Sequence, residues 1–425
     1  MMKVFTYPDK KKWNELIQRP VADNAELGKT VSAILEKVRK KGDKAILKYT
    51  KDFDGVKLKS LLITPAEIAN AGKLVSDKLK TAIQQAKQNI ETFHIAQQEE
   101  VKKIEIMPGV VCWRQSIGIE KVGLYIPGGS APLFSTVLML AVPAQIAGCK
   151  EIILCSPPSK DGTMNPAILY AAATCGVTKI YKVGGVQAIA AMAYGTETIP
   201  KVFKIFGPGN QYVTQAKQLV QQQAVAIDMP AGPSEVLVIA DETAVPEYVA
   251  ADLLSQAEHG SDSQVILITT SAAIATATTA AIEKQLQDLP RKDIAKKALE
   301  NSKLVIVAST AEAIELSNLY APEHLILSCA NAIEVSKQVI AAGSVFIGNY
   351  SPESVGDYAS GTNHTLPTNG YAAMYSGVSL DSFTKKITYQ QLTKEGLITI
   401  SNTVMVMADA EGLAAHKNAV AIRLK

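Results

Sequence analysis

An alternation of short apolar segments, glycine-rich turns and alanine-rich stretches begins at Val122 and continues through most of the remaining chain. The apolar segments have the length of strands, and the stretches between them are long enough for helices. This rhythm predicts a parallel sheet whose strands are joined by helical crossovers. The strands predicted for the first such unit are residues 122–126, 151–155, 179–183 and 204–206.

A second unit of the same kind follows, with predicted strands at residues 235–239, 264–269, 304–308, 325–328 and 344–347. We therefore predict an α/β fold with two Rossmann-like parallel-sheet α/β domains, N-terminal helices and a small helical C-terminal tail. The predicted domains are a discontinuous domain of residues 1–121 and 235–381, a Rossmann-like domain of residues 122–234, and a tail domain of residues 382–425.

The segment before the first unit is predicted to be mainly helical and to pack onto the second unit. Its predicted elements are helices over residues 27–49, from Pro65 and over residues 76–100, and a strand over residues 110–114. Thr64 and Glu67 have the spacing of a capping box, which fixes the start of the helix at Pro65. In the tail, residues 385–397 and 409–422 are predicted to be helices joined by the apolar residues 398–407.

The composition indicates a protein that binds its partner in a pocket and not through a charged surface. The 425 residues carry a net charge of only +3, which gives no general field for nucleic acid or for an anionic membrane. The 5 cysteines are scattered without a C-x-x-C pair, and the N-terminal residues lack the apolar core of a signal peptide. We expect a soluble cytoplasmic protein that binds neither nucleic acid nor a membrane.

Three strand–glycine–helix turns in the first unit are candidates for a phosphate site, because glycine lets backbone N–H groups approach an anion at a helix N-terminus. They are residues 126–130, 183–187 and 206–210, and none is a clean G-x-G-x-x-G. Each turn alone is equally explained as a turn that the fold requires. Together they predict a nucleotide crevice.

Polar residues cluster in the second unit and near the end of the chain. Of 5 histidines, His259, His324 and His364 lie in three short polar stretches and His416 lies in a fourth. If a helix continues to His259, then Gln256 and His259 project from one face of it. Asp357 is predicted to lie in a loop beyond a strand, where α/β proteins place functional groups.

These residue types suit a catalytic zinc site, which uses nitrogen and oxygen ligands and keeps one position open for substrate. The candidate ligands are His259, Asp357 and His416, with Gln256 as an amide-oxygen donor. Glu323 and His324 are a carboxylate and an imidazole that can divide acid–base work, although a solvated loop explains them equally. Ser234 is not in a nucleophile elbow and suits hydrogen bonding. His94 and the cysteines are assigned no role.

Long motifs in this order closely resemble the histidinol dehydrogenase family. The resemblance covers essentially the whole chain, with Glu411-Gly-Leu-Ala-Ala-His416 in the tail. It rests on Val122-Gly-Leu-Tyr-Ile-Pro-Gly-Gly-Ser-Ala-Pro-Leu133, Phe206-Gly-Pro-Gly-Asn210, Ile227-Asp-Met-Pro-Ala-Gly-Pro-Ser-Glu235, Ser255-Gln-Ala-Glu-His-Gly260, Ala321-Pro-Glu-His-Leu325 and Gly356-Asp-Tyr-Ala-Ser-Gly-Thr-Asn-His364.

The resemblance implies a zinc-dependent homodimer that oxidises L-histidinol to L-histidine through bound L-histidinaldehyde and reduces two NAD⁺, the last step of histidine biosynthesis. It makes residues 122–234 the NAD-binding domain, with contacts from Tyr125, Gln187 and Asn210. It makes Glu323 and His324 the acid–base pair. The implied zinc ligands are Gln256, His259, Asp357 and His416, and the implied substrate contacts are those four with Ser234, His324, His364 and Glu411.

The resemblance also implies that the tail completes the partner's site, so that His416 would come from the other chain. Folding of the tail onto its own chain is the alternative. Two rival classes share some of the residues: a zinc-dependent hydrolase, which would also use histidine, aspartate and a glutamate base, and a binding or structural metal protein. A closed structural metal site would need neither the glycine-rich crevice nor the Glu323-His324 pair, whereas the hydrolase stays an alternative. NAD⁺ reduction on addition of histidinol separates all three classes.

Overall fold

The computed structural model describes residues 2–19, 24–128, 132–223, 225–230 and 232–425. Its strands are β1 (Lys3–Thr6), β2 (Ile104–Met107), β3 (Val110–Gly118), β4 (Lys121–Tyr125), β5 (Glu151–Ser156), β6 (Lys179–Lys182), β7 (Lys204–Phe206), β8 (Ala226–Ile227), β9 (Glu235–Ala240), β10 (Gln264–Thr269), β11 (Lys303–Ile306), β12 (His324–Ser328), β13 (Ser344–Ile347) and β14 (Thr384–Leu392).

The α-helices in the described residues are α1 (Trp13–Leu16), α2 (Asn24–Tyr49), α3 (Pro65–Leu74), α4 (Asp77–Ile95), α5 (Phe134–Ile146), α6 (Pro166–Thr174), α7 (Gly185–Tyr194), α8 (Gln211–Gln221), α9 (Pro246–Ala257), α10 (Ala272–Asp288), α11 (Lys292–Glu300), α12 (Thr310–Tyr320), α13 (Ala332–Ser336), α14 (Glu353–Tyr358), α15 (Lys394–Ala410) and α16 (Ala414–Ala421). Helix α2 is interrupted at Gly42, whose φ is 50°. The capping box predicted at Thr64 is present, whereas α4 ends at Ile95 instead of near residue 100.

The first predicted unit is a parallel sheet in the order β6-β5-β4-β7-β8. The chain therefore starts in the middle of this sheet, builds outward to β6 and then returns to the other side of β4. The reversal lies between β4 and β7, and open α/β sheets form their ligand crevice at such a point. Near-continuous burial of β4 and β5 is typical of a parallel sheet covered on both faces.

The second unit is a larger parallel sheet in the order β1-β11-β10-β9-β12-β13. Its reversal lies between β9 and β12. Strand β1, from the start of the chain, extends the sheet beyond β11. The predicted fold class, with two Rossmann-like parallel-sheet units, is confirmed.

The prediction that the N-terminal helices pack onto the second unit is wrong for α2, α3 and α4. Helix α2 packs against α7 and α8, while α3 and α4 pack against α6 and α5. Val31 and Leu35 share a buried cluster with Ile189 of the first unit. Helices α5 and α7 are apolar on all sides and need a second cover, which these helices supply. Strand β1 and helix α1, the latter through Trp13 and Leu16, do join the second unit.

The prediction of a helix over residues 385–397 is wrong for its first part. Residues Thr384–Leu392 form β14, which pairs antiparallel with β3 along nine residues from Thr384↔Gly118 to Leu392↔Val110. Tyr389 stacks on Trp113 across the two strands, with ring centroids 5.2 Å apart, and such cross-strand pairs stabilise a strand over a helix. The apolar residues predicted to join two helices lie inside α15, so the tail is helical from Lys394 onward.

None of the helices in the described ranges combines the length and the apolar character that a membrane span requires.

Candidate active site

The candidate residues of the second unit meet where β9 and β12 begin, on the two sides of the reversal in strand order. His324 is the first residue of β12, and Glu235 is the first residue of β9. We call this end of the six-stranded sheet its amino edge. Sites in open α/β sheets usually lie at the carboxyl ends of strands, so the site lies on the opposite edge from the expected one.

The prediction that Asp357 lies in a loop is wrong. Asp357 belongs to the short helix α14, which follows β13 and leads back to the amino edge. Its Oδ1 lies 3.6 Å from His324 Nε2 and 4.0 Å from His364 Nδ1. Its carboxylate also influences His259, so it lies among three imidazoles. Burial alone would raise the pKa of Asp357, but these imidazoles lower it below the ordinary value.

Glu323 and His324 are buried and share one anchoring residue. Glu323 Oε2 accepts a hydrogen bond from Glu235 N at 2.8 Å, and His324 Nδ1 lies 3.1 Å from Glu235 O. Burial raises the pKa of Glu323 above its ordinary value. Burial also opposes a charge on His324, but the carboxylate of Glu323 and then that of Asp357 outweigh it and raise the pKa of this imidazole well above its usual range. The predicted pair is therefore a buried carboxylate and imidazole instead of a solvated loop.

Arg19 fixes the side chain of Glu235, the residue that anchors both Glu323 and His324. Its Nε and Nη2 donate to the two carboxylate oxygens of Glu235 at 2.5 and 2.9 Å, and Nη2 also donates to Tyr320 O at 2.7 Å. Asn369 N donates to Glu235 Oε1 at 2.9 Å. A bidentate arginine–carboxylate pair fixes orientation as well as charge. Sequence reasoning missed this support because no local pattern connects the segment after α1 with β9.

Gln256 and His259 face this cluster from the end of α9. The helix ends at Ala257, so the condition that it continues to His259 is not met, but a turn follows in which His259 N donates to Gln256 O at 3.2 Å. Gln256 is fully buried, and its Nε2 lies 3.0 Å from His324 Nδ1. His259 remains exposed at the surface of the site, with Nδ1 3.4 Å from Ser234 Oγ. The groups packed around this imidazole exclude part of its hydration shell, which lowers the pKa of His259. The carboxylate of Asp357 acts in the opposite direction and raises it.

The oxygen of Gln256 is the observation that fits a metal ion. Gln256 Oε1 is buried and has no hydrogen-bond partner among the described residues. A buried acceptor without a donor costs free energy unless something else binds it. The cluster that Gln256 joins through His324 also holds the carboxylate of Asp357 and the imidazole of His259, which are zinc ligand types. The donor set on this chain therefore fits a divalent cation with an open coordination sphere.

Glu353 is a site residue that sequence reasoning missed. Ligand atoms of His324, Glu353 and Asp357 lie within 4.8 Å of one another. Glu353 is buried, accepts a hydrogen bond from Gln256 Nε2 at 3.1 Å, and has its pKa raised to about 8 by burial. The signal was available: Glu353 and Asp357 are four residues apart, which places both on one face of α14.

His364 lies beside the cluster with both ring nitrogens engaged. Its Nδ1 lies 2.9 Å from Asp357 O, and its Nε2 lies 3.1 Å from Thr136 Oγ1 in the first turn of α5. Burial lowers the pKa of this imidazole, so a neutral ring donates from Nδ1 and accepts at Nε2. His364 thereby links Asp357 to the helix that follows β4.

Glu411 and His416 are not brought to the cluster within this chain. Glu411 follows α15 and His416 lies in α16, and both side chains are exposed. No hydrogen bond or ion pair joins either side chain to the cluster in the described residues.

The predicted nucleotide crevice lies at the carboxyl ends of β4 and β7. The turn after β7 is tightly built: Gly207 has φ 129°, and a Cβ there would lie 2.0 Å from Tyr125 O. Gly207 N donates to Asp228 Oδ2 at 2.8 Å, and Lys217 Nζ donates to Gly207 O at 2.8 Å. Since Pro208 has no N–H, this turn offers few free donors, and Gly207 serves the fold. Gly129 and Ser130 of the first candidate turn lie outside the described residues.

The predicted cofactor contacts lie at the ends of strands or the starts of helices in this sheet unit. Tyr125 ends β4, and its hydroxyl accepts from Gly185 N, the first residue of α7, at 3.0 Å. Gln187 is buried in the first turn of the same helix. Asn210 caps α8, with Oδ1 accepting from Tyr212 N at 3.1 Å, which leaves its amide N–H groups free to donate.

Comparisons with known proteins agree with one another. A family model described as histidinol dehydrogenase matches residues 17–424. The histidinol dehydrogenase of Bacteroides thetaiotaomicron is 62% identical over 424 residues, covering 100% of this chain and 99% of the relative. That of Escherichia coli K12 is 52% identical over 413 residues, covering 96% of this chain and 94% of the relative. A crystal structure of histidinol dehydrogenase from Elizabethkingia anophelis superimposes with a TM-score of 0.97 at 58% identity, covering 100% of this chain and 98% of that one.

Proposed function

The chain belongs to the histidinol dehydrogenase family, and we propose that it oxidises L-histidinol to L-histidine through bound L-histidinaldehyde, with zinc at the active site and two NAD⁺ reduced per turnover. The observation that carries the proposal is the meeting of Gln256, Asp357 and the Glu323–His324 pair at one edge of the six-stranded sheet. The crevice between β4 and β7 is the proposed cofactor site, with Tyr125, Gln187 and Asn210 as contacts.

Gln256 Oε1, His259 and Asp357 are the proposed zinc ligands from this chain, and His416 of a second copy is the proposed fourth. The unpartnered Gln256 Oε1 and the three imidazoles around Asp357 support this assignment. A bound zinc ion would supply a Lewis-acid centre that fixes the imidazole and the amine of histidinol and so positions its alcohol carbon. Ser234, His364 and Glu411 are the further proposed substrate contacts.

His324 is the proposed base for both oxidations. Its Nδ1 is held by Glu235 O, whereas Nε2 has no hydrogen-bond partner among the described residues and is free to take the proton of the alcohol. Carboxylates raise the pKa of this ring. With a cation held by Gln256, His259 and Asp357, the pKa of this imidazole would be lower, and the ring could start each oxidation neutral. NAD⁺ bound in the crevice would supply the hydride acceptor.

Glu323 is the proposed base that activates water. The aldehyde must gain water before a second hydride can leave, and the hydrate then yields the carboxylate. Glu323 Oε2 is held by Glu235 N, which leaves Oε1 to accept a proton from water. Burial raises the pKa of this carboxyl toward neutrality, which strengthens it as a base.

We propose a homodimer in which the tail of each chain completes the other's site. Exposure of Glu411 and His416 supports this, because neither residue reaches the cluster of its own chain. The tail also exposes large apolar side chains of the kind that interfaces cover: Ile398 53%, Val406 60%, Met407 60%, Leu413 41% and Ile422 56%. The predicted domain boundaries and a cytoplasmic location remain proposals, and the five free cysteines support a reducing compartment.

One assay tests the proposed function. Zinc-loaded protein with L-histidinol and NAD⁺ should form two NADH per histidinol, followed by absorbance, and histidine should be the product. Asp357→Asn should abolish NADH formation, while Asp293→Asn, an exposed change on α11, should not. A hydrolase or a structural metal protein would form no NADH under any of these conditions, and that result with dimeric, zinc-loaded protein would overturn the proposal.

A further inference from the structure

Glu353 binds the ends of two consecutive side chains at the end of α9. Its side chain is 1% exposed. Its Oε1 accepts from Gln256 Nε2 at 3.1 Å, and its Oε2 lies 3.1 Å from Ser255 Oγ, whose single hydroxyl proton also has Asp252 O as a partner at 2.8 Å. Both carboxylate oxygens are therefore engaged within the protein. Glu353 begins the helix that also carries Asp357, so one short helix supplies both carboxylates.

The contact with Gln256 matters because an amide has two different ends. Only the oxygen of a glutamine side chain can bind a cation, whereas the nitrogen is a hydrogen-bond donor. Glu353 Oε1 is an acceptor both in the ionised carboxylate and in a carboxyl group that carries its proton on Oε2, so it selects the NH₂ end of Gln256. The oxygen is then turned to the opposite side, where it is buried and unpartnered among the described residues. A reversed amide would place oxygen against oxygen at Glu353 and an N–H toward the cation.

We propose that Glu353 is a positioning residue that fixes the Gln256 amide with its oxygen toward the metal site. This inference rests on the proposed zinc site and names the residue that orients one of its ligands. Groups that orient metal ligands through hydrogen bonds typically contribute 10–100-fold to metal affinity. Direct binding of the ion by Glu353 is the competing explanation, since its carboxylate lies within 4.8 Å of ligand atoms of His324 and Asp357.

The experiment measures zinc affinity by competition with a chromogenic chelator on the metal-free, full-length protein. Glu353→Leu keeps the volume of the side chain and removes the acceptor, and it should weaken zinc binding by about 10–100-fold. Glu353→Gln should restore part of the affinity, because Ser255 Oγ can hold the nitrogen of the new amide and leave its oxygen to accept from Gln256. Ser255→Ala is the matched control: it removes the other bond to Glu353, and zinc affinity should change only slightly.

A second background separates orientation from ligation and from a loss of structure. A carboxylate has two equivalent oxygens and needs no orientation, so in a Gln256→Glu background the change Glu353→Leu should cost no zinc affinity. It should instead strengthen binding, because the like charge at Glu353 is removed. An equal fold loss in both backgrounds would show that Glu353 is a ligand or only a structural residue, and would overturn the inference.

Two further outcomes distinguish failure of the proposed zinc site from failure of the proposed role of Glu353. Failure of the wild-type protein to bind zinc would overturn the proposed site and this inference together. Tight binding by the wild type with unchanged affinity in Glu353→Leu would overturn only the role of Glu353. Thermal unfolding of each metal-free variant shows whether the fold is retained, and a change in affinity that follows the residue at position 256 cannot come from general destabilisation.

Discussion

Glu323 and Glu235 are joined across two neighbouring strands by a hydrogen bond of 2.8 Å from the backbone N–H of Glu235 to Glu323 Oε2. The carbonyl of the same Glu235 lies 3.1 Å from His324 Nδ1. One residue of β9 thus orients both members of the acid–base pair. It occupies one polar atom of each and leaves Glu323 Oε1 and His324 Nε2 for chemistry.

The first prediction concerns the division of work in this pair. Glu323→Gln can still accept the hydrogen bond from Glu235 but cannot take a proton from water. Oxidation of added histidinaldehyde should slow by about 10²–10⁴-fold, while aldehyde formation from histidinol should change much less. Single-turnover measurements of NADH with each substrate check this, with the exposed change Glu334→Gln as control. Equal losses in both half-reactions would contradict the assignment.

The second prediction concerns the shared site. An inactive His416→Ala chain and an inactive Asp357→Ala chain should regain part of the wild-type activity when they are refolded together, because one site of each mixed dimer holds neither change. Asp357→Ala mixed with His259→Ala is the control: both residues serve the same chain's site, so no intact site forms. Mixed dimers that form and stay inactive in the first pairing would show that His416 acts within its own chain.

The third prediction is that no cysteine takes part in catalysis. Burial raises the pKa of Cys149 and Cys329 to about 11 and that of Cys175 to about 12, and it raises the pKa of Cys155 as well. Thiols of this kind hold little thiolate near neutral pH. Alanine at each of these positions, and at Cys112, should leave the rate of NADH formation substantially intact in every variant that folds and binds zinc. A folded, zinc-loaded variant without activity would refute this.

The fourth prediction concerns the buried ion pair of Lys217 and Asp228, which holds the turn at Gly207 from both sides. Lys217→Met leaves Asp228 buried without a cation and should lower the free energy of unfolding by about 3–5 kcal/mol. Adding Asp228→Asn should recover part of this loss. Urea unfolding measures both, with the exposed change Lys160→Met as control. Because the turn flanks the proposed cofactor crevice, KM for NAD⁺ should rise in Lys217→Met more than KM for histidinol.

The fifth prediction concerns His94, which is fully buried in α4. Its Nδ1 donates to Ile90 O at 2.8 Å, and its Nε2 has no partner among the described residues. Burial lowers the pKa of this imidazole in the folded protein. The unfolded chain therefore takes up the proton first, at about pH 6.5, and stability present above that pH is lost as the pH falls toward the folded pKa.

His94→Phe removes this proton-binding group. The urea midpoint of the wild type should fall more than that of the variant between about pH 8 and about pH 5.5. Comparing the two proteins at each pH cancels the titration of all other groups that they share. A parallel fall in both proteins would show that His94 does not titrate on unfolding.

Sequence patterns predicted the sheets because the central parts of buried parallel strands, such as residues 236–240, are apolar throughout and stand between helix-length segments. They failed for β14, whose partner β3 lies far away in sequence and whose exposed face carries lysine, glutamine and threonine. The packing of α2 on α7 likewise depends on surfaces that no local pattern contains.

Residue types and the family resemblance identified most of the site, but its support could not be predicted. Arg19 reaches Glu235, and Glu353 reaches Gln256, across long stretches of chain, and only the fold brings each pair together. Local geometry was also misjudged where helices end, as at Ala257 before His259.

The pairing of β3 with β14 has a consequence for folding while the chain is being synthesised. Strand β3 leaves the ribosome early, whereas β14 is among the last segments to be made, so β3 waits with one edge unpaired for nearly the whole of synthesis. Strand β1 waits in the same way for β11. Pairing between strands that are far apart in sequence slows folding. Until its partner is made, an edge strand exposes unpaired N–H and C=O groups that can pair with another chain. A nascent chain that stalls before residue 384 should therefore depend on chaperones for its solubility more than the finished protein does.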